Sequence, residues 1–357
     1  MMSLDEIGMK NIPRVPLAFL PTPIMEAPRL AETIGGPALW IKRDDLTGFG
    51  FGGNKIRGLE FLLADALAQG ADTLVTGAAP QSNYVRATAA VAAHAGLHMV
   101  AIYSGTPPAQ VQGNYRLTRL LGAEIRFTGD TDRASVDGVI EETAHELRSD
   151  GRRPYTITRG GASVLGTLGY VQAAYELAEQ CAAKAIVPDA IVLATGSCGT
   201  QAGLLAGVQL LGLSWRVEGF TVSRPVDEVT SRVLNLAQAA IELLGSRHTI
   251  APQDVIVHGG FIGPGYGVPA PEGAEAIRLV ARCEGIFLDP TYTGKAMAGY
   301  LAYCRAGRFR PEETIIFLHT GGEPALFVGE GSWLSQGLNP LERDELVSDP
   351  SKDEPTR

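Results

Sequence analysis

The sequence predicts an α/β fold built from two open parallel sheets. After about residue 70, short stretches rich in β-branched residues alternate with longer stretches of helical periodicity. This alternation indicates parallel strands joined by right-handed crossovers. Several of the short stretches are apolar almost throughout, as is typical of strands that are covered on both faces. The chain has 357 residues, a length that favours two such sheets over one.

The predicted strands and helices follow one another in pairs. The first three pairs are DTLVTGA with NYVRATAAVAAHAG, HMVAIYSG with VQGNYRLTRLLG, and AEIRFTG with VDGVIEETAHELRSDG. Two further pairs are DAIVLATG with GTQAGLLAGVQLLG, and RVEGFTVSR with DEVTSRVLNLAQAAIELLG, and IIFLHT is a late strand. Because ligands of open α/β sheets bind at the carboxyl ends of strands, we expect the loops after these strands to carry the function.

The composition argues against several classes of function. The net charge of −9 leaves no basic excess for nucleic acid, and no apolar stretch is long enough for a membrane helix. The first residues have no apolar segment typical of a secretory signal. The four cysteines are scattered and the six histidines lack metal-ligand spacing, so we expect reduced thiols, a cytoplasmic protein and no bound metal.

The loop after DAIVLAT is typical of a phosphate site. It reads Thr195-Gly196-Ser197-Cys198-Gly199-Thr200 and leads directly into a helix of small residues. Glycines let backbone N–H groups turn inward, and a helix N-terminus attracts anions. The loop contains no lysine, which favours a phosphate monoester over a magnesium-bound triphosphate. A tight turn without a ligand is the alternative.

A lysine stands at the end of the glycine-rich stretch FGFGGNKIR. Gly48 and Gly53 have the spacing that begins a Walker loop, but Asn54 separates Gly53 from Lys55, and Ile56 replaces the residue that would bind magnesium. An exposed lysine in a flexible loop is another alternative. We favour a lysine that bonds covalently to an aldehyde cofactor, because glycines would let the backbone approach a flat ring closely.

Three more stretches with polar or tyrosine residues are PQSNYVRA, GPGYGVP and LDPTYTGKAM. Each is a weak signal alone. Together with the lysine and the phosphate loop, they predict a site for a phosphorylated, flat, hydrogen-bonding ligand.

Seven motifs, in order along the chain, resemble the 1-aminocyclopropane-1-carboxylate (ACC) deaminase and D-cysteine desulfhydrase family. They are LWIKRDDLTG, GGNKIRGLEFL, QSN, GGASVLGTLGYVQAAYEL, GSCGTQAGL, LDPTYTGKAMAG and HTGGEPALF. The resemblance implies a pyridoxal-phosphate enzyme of fold type II, like the tryptophan synthase β subunit, with the cofactor in a cleft between two domains. It also suggests a homodimer.

The expected larger, cofactor-binding domain comprises residues 1–65 and 175–335, and the smaller α/β domain comprises residues 66–174. Residues 338–357 read as a polar tail.

The resemblance implies cofactor contacts. Lys55 would hold pyridoxal phosphate and move the substrate α-proton. Asn83 would bond the ring hydroxyl, and Thr320 would lie near the pyridine nitrogen. The phosphate would be held by Gly196, Ser197, Cys198, Gly199 and Thr200.

The resemblance also implies substrate contacts. Ser82 would sit beside the substrate carboxylate or the cofactor face, with Asn83 and Tyr84 next to it. Tyr266 and Tyr292 would flank the substrate, a small amino acid, and Tyr292 would be an acid or base candidate.

One position separates two reactions within the family. The cyclopropane deaminases resemble Tyr-Glu-Gly-Lys there, with the glutamate facing the pyridine nitrogen, whereas this chain has Thr293 after Tyr292. A neutral hydroxyl is a weaker partner for a protonated ring and suffices for β-elimination. We therefore expect D-cysteine desulfhydrase-like chemistry, with ACC deamination as the alternative.

The chain departs from the family pattern at Pro80, Tyr84, Gly58 and Glu323, and in the pair Thr158-Arg159. These changes are either neutral or they mark a different substrate side chain. An inward-pointing Arg159 would pair with an anionic β-group such as the sulfonate of cysteate. A cofactor-carrying sensor without catalysis is a further alternative, and the retained Lys55 and tyrosines argue against it.

Overall fold

The computed structural model describes residues 6–329 and 331–335 and contains two sheets. The strands of the larger sheet are β1 (Ile24–Glu26), β2 (Ala38–Arg43), β7 (Ala190–Thr195), β8 (Arg216–Thr221), β9 (Ile256–His258) and β10 (Thr314–His319). Their order across the sheet is β1-β2-β10-β7-β8-β9. All neighbours are parallel except β1, which pairs with β2 antiparallel, with Ile24 opposite Lys42.

The smaller sheet is parallel throughout. Its strands are β3 (Thr73–Ala78), β4 (His98–Tyr103), β5 (Glu124–Phe127) and β6 (Pro154–Thr156), in the order β5-β4-β3-β6. Every residue of β3 and of β7 is buried, which confirms that these apolar strands are covered on both faces. The predicted α/β class with two sheets is confirmed.

Ten helices connect and cover the strands in the described part of the chain. They are α1 (Pro28–Ile34), α2 (Lys55–Ala68), α3 (Asn83–Ala95), α4 (Gly113–Leu120), α5 (Ser135–Ser149), α6 (Val164–Lys184), α7 (Gly199–Leu210), α8 (Val226–Leu243), α9 (Pro271–Glu284) and α10 (Thr293–Arg305). All five predicted strand–helix pairs form, as does the late strand β10. None of these helices is both long enough and apolar enough to cross a bilayer.

Helix α6 links the two halves of the fold. It contributes Tyr170 and Leu177 to the core beneath the larger sheet, and its N-terminal half packs against α2. The two helices cross so closely that a Cβ on Gly58 would lie 2.6 Å from the Gly166 carbonyl oxygen. This contact gives a packing reason for Gly58, where the resembling family has lysine. The expected boundary between residues 174 and 175 falls inside α6, so the division into domains stays a prediction, and the predicted tail lies outside the described residues.

A buried ion network fixes the start of α2. The Arg57 side chain is 1% exposed and donates through Nε to Asp44 Oδ2 (2.7 Å) and through Nη1 to Glu176 Oε2 (2.9 Å). Lys42 Nζ donates to Glu176 Oε1 (2.5 Å), and the Tyr170 hydroxyl donates to Asp44 Oδ2 (2.5 Å). Burial by itself would raise the pKa of Asp44, but the Arg57 charge and hydrogen bonds outweigh it and lower the pKa to about 2.

Replacing Arg57 with methionine should strongly destabilise the protein. The methionine would leave Asp44 and Glu176 as buried carboxylates without their main partner, at a cost of about 3–5 kcal/mol in the free energy of unfolding. Urea titration at pH 7 measures this cost. The depressed Asp44 pKa means that the pair stabilises the fold above pH ~4, so the difference between wild type and variant should shrink as the pH falls toward about 2.

Arg153→Met provides the control, because that side chain is 70% exposed and its ion pair with Asp72 is long, at 3.8 Å. We expect this variant to differ from wild type by less than about 0.5 kcal/mol. Equal stability of the Arg57 variant and the wild type would show that the buried network does not hold α2.

Candidate active site

The carboxyl ends of both sheets open into a cleft of about 860 Å³, part of which is open to solvent. Strand β3 ends at Ala78, β7 ends at Thr195 and β10 ends at His319, and residues at or just after each end line the cleft. This is where open α/β sheets bind ligands. The volume is sufficient for a cofactor together with a small substrate.

The glycine-rich loop before Lys55 turns through left-handed backbone conformations. Gly50 has φ +54° and Gly52 has φ +66°, a region that disfavours residues with a side chain. A Cβ on Gly52 would lie 2.1 Å from the Asp45 carbonyl oxygen, and one on Gly50 would lie 2.5 Å from the Ala90 Cβ. The expectation that these glycines make room for a flat ring is therefore wrong for Gly50 and Gly52, which are needed for the turn and for packing against protein.

Contacts from both sheets hold this loop. Arg86 of α3 is buried and donates to the carbonyl oxygens of Gly50 and Gly52. The backbone N–H of Asn54 donates to the Thr320 carbonyl (3.0 Å), and Asn54 Nδ2 donates to Thr200 Oγ1 (2.9 Å). The loop is thus tied to α3, to the end of β10 and to the loop after β7.

Lys55 is the first residue of α2 and lies on the floor of the cleft. Its Nζ donates to Ser197 Oγ (3.3 Å) and lies 6.0 Å from the centroid of the Tyr84 ring. Surrounding protein atoms exclude water from the ammonium group, which lowers the pKa of Lys55 to about 8. About a tenth of the amine is therefore neutral and nucleophilic at pH 7.

The loop after β7 forms a cup at the N-terminus of α7. The first N–H groups of a helix have no partner within the helix, and its dipole attracts anions. Cys198 adopts a left-handed conformation (φ +79°) that turns the chain into the helix. The Thr195 hydroxyl lines the cleft, is buried and has no hydrogen-bond partner among the described residues. The cup therefore offers amide and hydroxyl donors to a phosphate, as the sequence predicts.

A second helix N-terminus meets the same cleft. Ser82 caps α3 by accepting a hydrogen bond from the Val85 N–H (3.2 Å). Asn114 Nδ2 donates to Asn83 Oδ1 (2.8 Å), which leaves the Asn83 amide NH₂ as a donor toward the cleft. The Tyr84 ring forms part of the wall, with a buried hydroxyl that has no hydrogen-bond partner among the described residues. Gly161 packs against this ring, where a Cβ would lie 2.0 Å from it.

Two tyrosines from separate loops meet at the cleft. The hydroxyl groups of Tyr266 and Tyr292 are 2.5 Å apart and share a hydrogen bond. Burial raises the pKa of both phenols, so both are protonated at neutral pH. Both phenols therefore carry a proton before any reaction, and the choice between an acid and a base role for Tyr292 stays a prediction.

Two buried residues outside the cleft shape the tyrosine loops. Asp289 Oδ2 accepts hydrogen bonds from the N–H groups of Thr291 (2.8 Å) and Tyr292 (3.0 Å). Lys295 Nζ donates to the carbonyl oxygens of Ile262 (2.7 Å) and Gly265 (2.8 Å), next to Tyr266. These contacts explain why Asp289 and Lys295 occur in the motif LDPTYTGKAM.

The structure brings the predicted site residues together. The cleft is lined by Lys55, Ser82, Asn83, Tyr84, Arg159, Gly196, Ser197, Cys198, Thr200, Tyr266, Tyr292 and Thr320. Gly199 lines an adjoining recess with Lys55 and Ser197. The sequence analysis missed Arg133 and Arg224, which also line the cleft. Arg133 lies in a loop without a motif, so only the fold reveals its place. Arg224 ends the quoted stretch RVEGFTVSR, and its position at the carboxyl end of a predicted strand was the signal that could have found it.

Comparison with known proteins identifies the family. Residues 15–321 match the family described as pyridoxal-phosphate dependent enzyme. The chain belongs to this family. It is 40% identical to a crystallised ACC deaminase homologue, with a TM-score of 0.87, over 94% of this chain and 100% of that one.

Two more distant structures share the fold. A fungal L-serine ammonia-lyase from Rhizomucor miehei is 16% identical with a TM-score of 0.63, over 86% of this chain and 95% of that one. An O-ureido-L-serine synthase is 20% identical with a TM-score of 0.63, over 89% of this chain and 93% of that one. The predicted family and the cofactor, pyridoxal phosphate, are confirmed.

The residues at the cleft fit pyridoxal phosphate. The amine of Lys55 meets the requirement for a covalent partner of the aldehyde, and the loop after β7 has the donors that a phosphate needs. The Asn83 amide is free to donate to a ring oxygen. The cofactor, when bound, draws electrons from the bonds of the substrate α-carbon. The roles of the individual residues stay predictions.

Thr293 does not line the cleft, where the sequence analysis expected it. Its side chain is buried, its hydroxyl donates to Asp289 Oδ1 (2.8 Å), and it accepts a hydrogen bond from the Asp289 N–H (2.7 Å). The interpretation that this hydroxyl faces the pyridine nitrogen is therefore wrong. Thr320, at the end of β10, does line the cleft.

Three ionisable groups cluster behind the cleft. Asp45, His319 and Glu323 have potential ligand atoms within 4.8 Å of one another. However, His319 Nε2 donates to the Phe287 carbonyl (2.9 Å), His319 Nδ1 accepts from the Gly321 N–H (3.2 Å), and Arg43 pairs with Asp45 (2.6 Å). Both histidine nitrogens thus already form hydrogen bonds within the protein. The expectation of no bound metal stays a prediction. Glu323 faces this cluster and does not line the cleft.

We predict that Lys55 is the residue that bonds to the cofactor. Borohydride reduction of the holoenzyme should place the label on the peptide that contains Lys55, and Lys55→Met should take up none. Since the neutral amine reacts, the rate of cofactor uptake by the apoenzyme should rise about tenfold per pH unit up to about pH 8 and then level off. Label on Lys295, the buried lysine beside the Tyr266 loop, would contradict the assignment.

We predict that Gly199→Asp abolishes cofactor retention without unfolding the protein. A Cβ at this position meets nothing closer than Thr167 Oγ1 at 3.5 Å, an ordinary van der Waals contact. The added carboxylate would repel the phosphate dianion. Gly199→Asn, of the same size without the charge, is the control and should bind at least about tenfold more tightly. The measurement is the cofactor content of each variant after dialysis, and circular dichroism checks that both variants are folded. Equal retention by both variants would refute the phosphate assignment.

Proposed function

We propose that this enzyme catalyses α,β-elimination on a β-substituted amino acid and releases a keto acid and ammonia, as D-cysteine desulfhydrases do. The observation that carries the proposal is the set of groups around the cleft. No carboxylate from the described residues lines it, and Thr320 is the hydroxyl at the end of β10. The ring nitrogen would thus have a neutral partner, which favours removal of an α-proton and a ready leaving group over the opening of an unactivated ring.

The residues of the cleft support each step of such an elimination. The N-terminus of α3, with Ser82, Asn83 and Tyr84, would bind the substrate carboxylate through its free N–H groups. Lys55, with its pKa near 8, would take the α-proton. The protonated Tyr292 would donate a hydrogen bond to the leaving group, with Tyr266 holding its hydroxyl in place.

ACC deamination is the second candidate. It is supported by the 40% identity to the ACC deaminase homologue over the full length of that chain. The absence of a carboxylate from the lining of the cleft argues against it.

The resemblance also supports further proposals: a small amino acid as substrate, a homodimer and a cytoplasmic location. It supports the division into a larger domain of residues 1–65 and 175–335 and a smaller domain of residues 66–174. Gel filtration with light scattering tests the dimer.

A substrate screen tests the reaction. The holoenzyme should release pyruvate from D-cysteine, β-chloro-D-alanine or L-cysteate at least about 100-fold faster than it releases 2-oxobutanoate from ACC, a difference of about 2.7 kcal/mol in activation free energy. Lys55→Met, run in parallel with added pyridoxal phosphate, subtracts elimination by the free cofactor. Rapid 2-oxobutanoate formation by the wild type would reverse the proposal in favour of ring opening, and no keto acid from any of these amino acids would reject both candidates.

A further inference from the structure

We propose that Arg133 determines substrate specificity by binding an acidic group on the substrate side chain, so that the substrates are amino acids with a negatively charged β-substituent such as a sulfonate. This inference rests on the proposed elimination. It assigns the acidic group to a residue that lies outside every motif of the sequence, in the loop between β5 and α5.

The charges around the cleft are the first observation. The chain carries a net charge of −9, yet the charged side chains that line the cleft in the described structure are all cationic: Lys55, Arg133, Arg159 and Arg224. Neutral amides and hydroxyls make up most of the remaining polar lining. A cleft of this kind selects ligands with several negative charges.

Two of those negative charges already have sites. The N-terminus of α7 would hold the phosphate, and the N-terminus of α3 would hold the α-carboxylate of an amino acid. Both sites use backbone N–H groups and hydroxyls. The arginines are therefore not needed for either group.

Two of the arginines already have partners. Arg159 Nη2 donates to Asp137 Oδ2 (2.8 Å), and Arg224 pairs with Glu228 one turn along α8. The chain at Arg159 also runs beside the phosphate loop, because a Cβ on Gly160 would lie 3.1 Å from the Ser197 Cβ. Arg159, which the sequence suggested for an anionic β-group, thus has a carboxylate partner in Asp137 and lies next to the phosphate loop.

Arg133 is the remaining arginine. Its guanidinium carbon lies 4.0 Å from the centroid of the Tyr266 ring, and among the described residues no carboxylate pairs with it. The ring contact uses no N–H donor, so the donors of the guanidinium remain for a carboxylate or sulfonate. Tyr266 in turn bonds to Tyr292, the proposed donor to the leaving group. Arg133 therefore places an unpaired positive charge beside the two tyrosines at which the substrate β-substituent is expected.

Elimination from such a substrate balances without a further reactant. With cysteate, Lys55 would take the proton of the α-carbon, and the Cβ–S bond breaks with its electron pair leaving on sulfur as sulfite. The remaining 2-aminoacrylate reacts with water to give pyruvate and ammonium. A guanidinium at the sulfonate stabilises the negative charge that accumulates as sulfite departs.

Arg133→Gln tests the assignment by kinetics. For the reactive enantiomer of cysteate, kcat/KM should fall about 10- to 100-fold, the loss expected for one charge-assisted contact. For β-chloroalanine, whose β-substituent is neutral, the loss of kcat/KM should be at least about fivefold smaller than for cysteate. Arg133→Lys, which keeps the charge, should recover part of the cysteate activity. Equal losses for both substrates would show that Arg133 acts only through Tyr266 and would overturn the proposal.

Binding of a matched pair of ligands tests it without turnover. Aspartate and asparagine have the same shape and differ in side-chain charge, so the ratio of their inhibition constants against β-chloroalanine reports the acidic site. Wild type should prefer aspartate by about tenfold or more, and Arg133→Gln should abolish the preference. The control variant Arg153→Gln removes one exposed charge that does not line the cleft, and it should retain the preference for aspartate over asparagine.

The outcomes separate this inference from the proposed function. Elimination from β-chloroalanine without a preference for aspartate over asparagine would reject the acidic site and leave the elimination standing. A preference that is lost in Arg159→Gln but kept in Arg133→Gln would move the site to Arg159 and reject this assignment. If no elimination occurs but Arg133→Gln abolishes the aspartate preference, the acidic site stands and the reaction must be revised.

Discussion

Arg57 and Asp44 form a buried ion pair two residues from the lysine of the cleft, and the geometry of the site depends on it. Asp44 follows the last residue of β2, while Arg57 lies in the first turn of α2. Glu176 adds a contact from α6, so sheet and helices meet at one guanidinium. Such a network contributes little net stability against an apolar alternative, but breaking it is costly. It therefore fixes the direction in which α2 presents Lys55.

The electrostatics of the cleft follow from its walls. Helices α3 and α7 both point their N-termini into it, and the charged side chains among its described lining residues are cations. A cofactor phosphate and an amino-acid carboxylate would supply the compensating charge. The same surroundings that exclude water from Lys55 lower its pKa, whereas burial raises the pKa of the phenols of Tyr266 and Tyr292. One environment thus keeps the proposed base partly neutral and the proposed acid protonated.

Two interpretations from the sequence were wrong for a common reason. Gly50 and Gly52 were assigned to a ligand and serve a turn, and Thr293 was assigned to the ring nitrogen and bonds Asp289. In each case the residue type is compatible both with a ligand contact and with a purely structural role. Spacing along the chain shows that a residue is near the site, but the direction of its side chain depends on neighbours such as Asp45 and Asp289 that the pattern does not reveal.

The sequence by itself determined the α/β class and the five strand–helix pairs, and it selected Lys55 and the loop 195–200, which the structure places at the cleft. Hydrophobic period and glycine placement act over a few residues, so a sequence pattern reveals them. The tertiary structure alone decided which charges remain free in the cleft. Arg133, Arg159 and Arg224 are the same residue type. Glu228 follows Arg224 by four residues, a spacing that local helix geometry can pair. Asp137 is 22 residues from Arg159, so only the packing of distant parts of the chain pairs those two and leaves Arg133 without a carboxylate partner among the described residues.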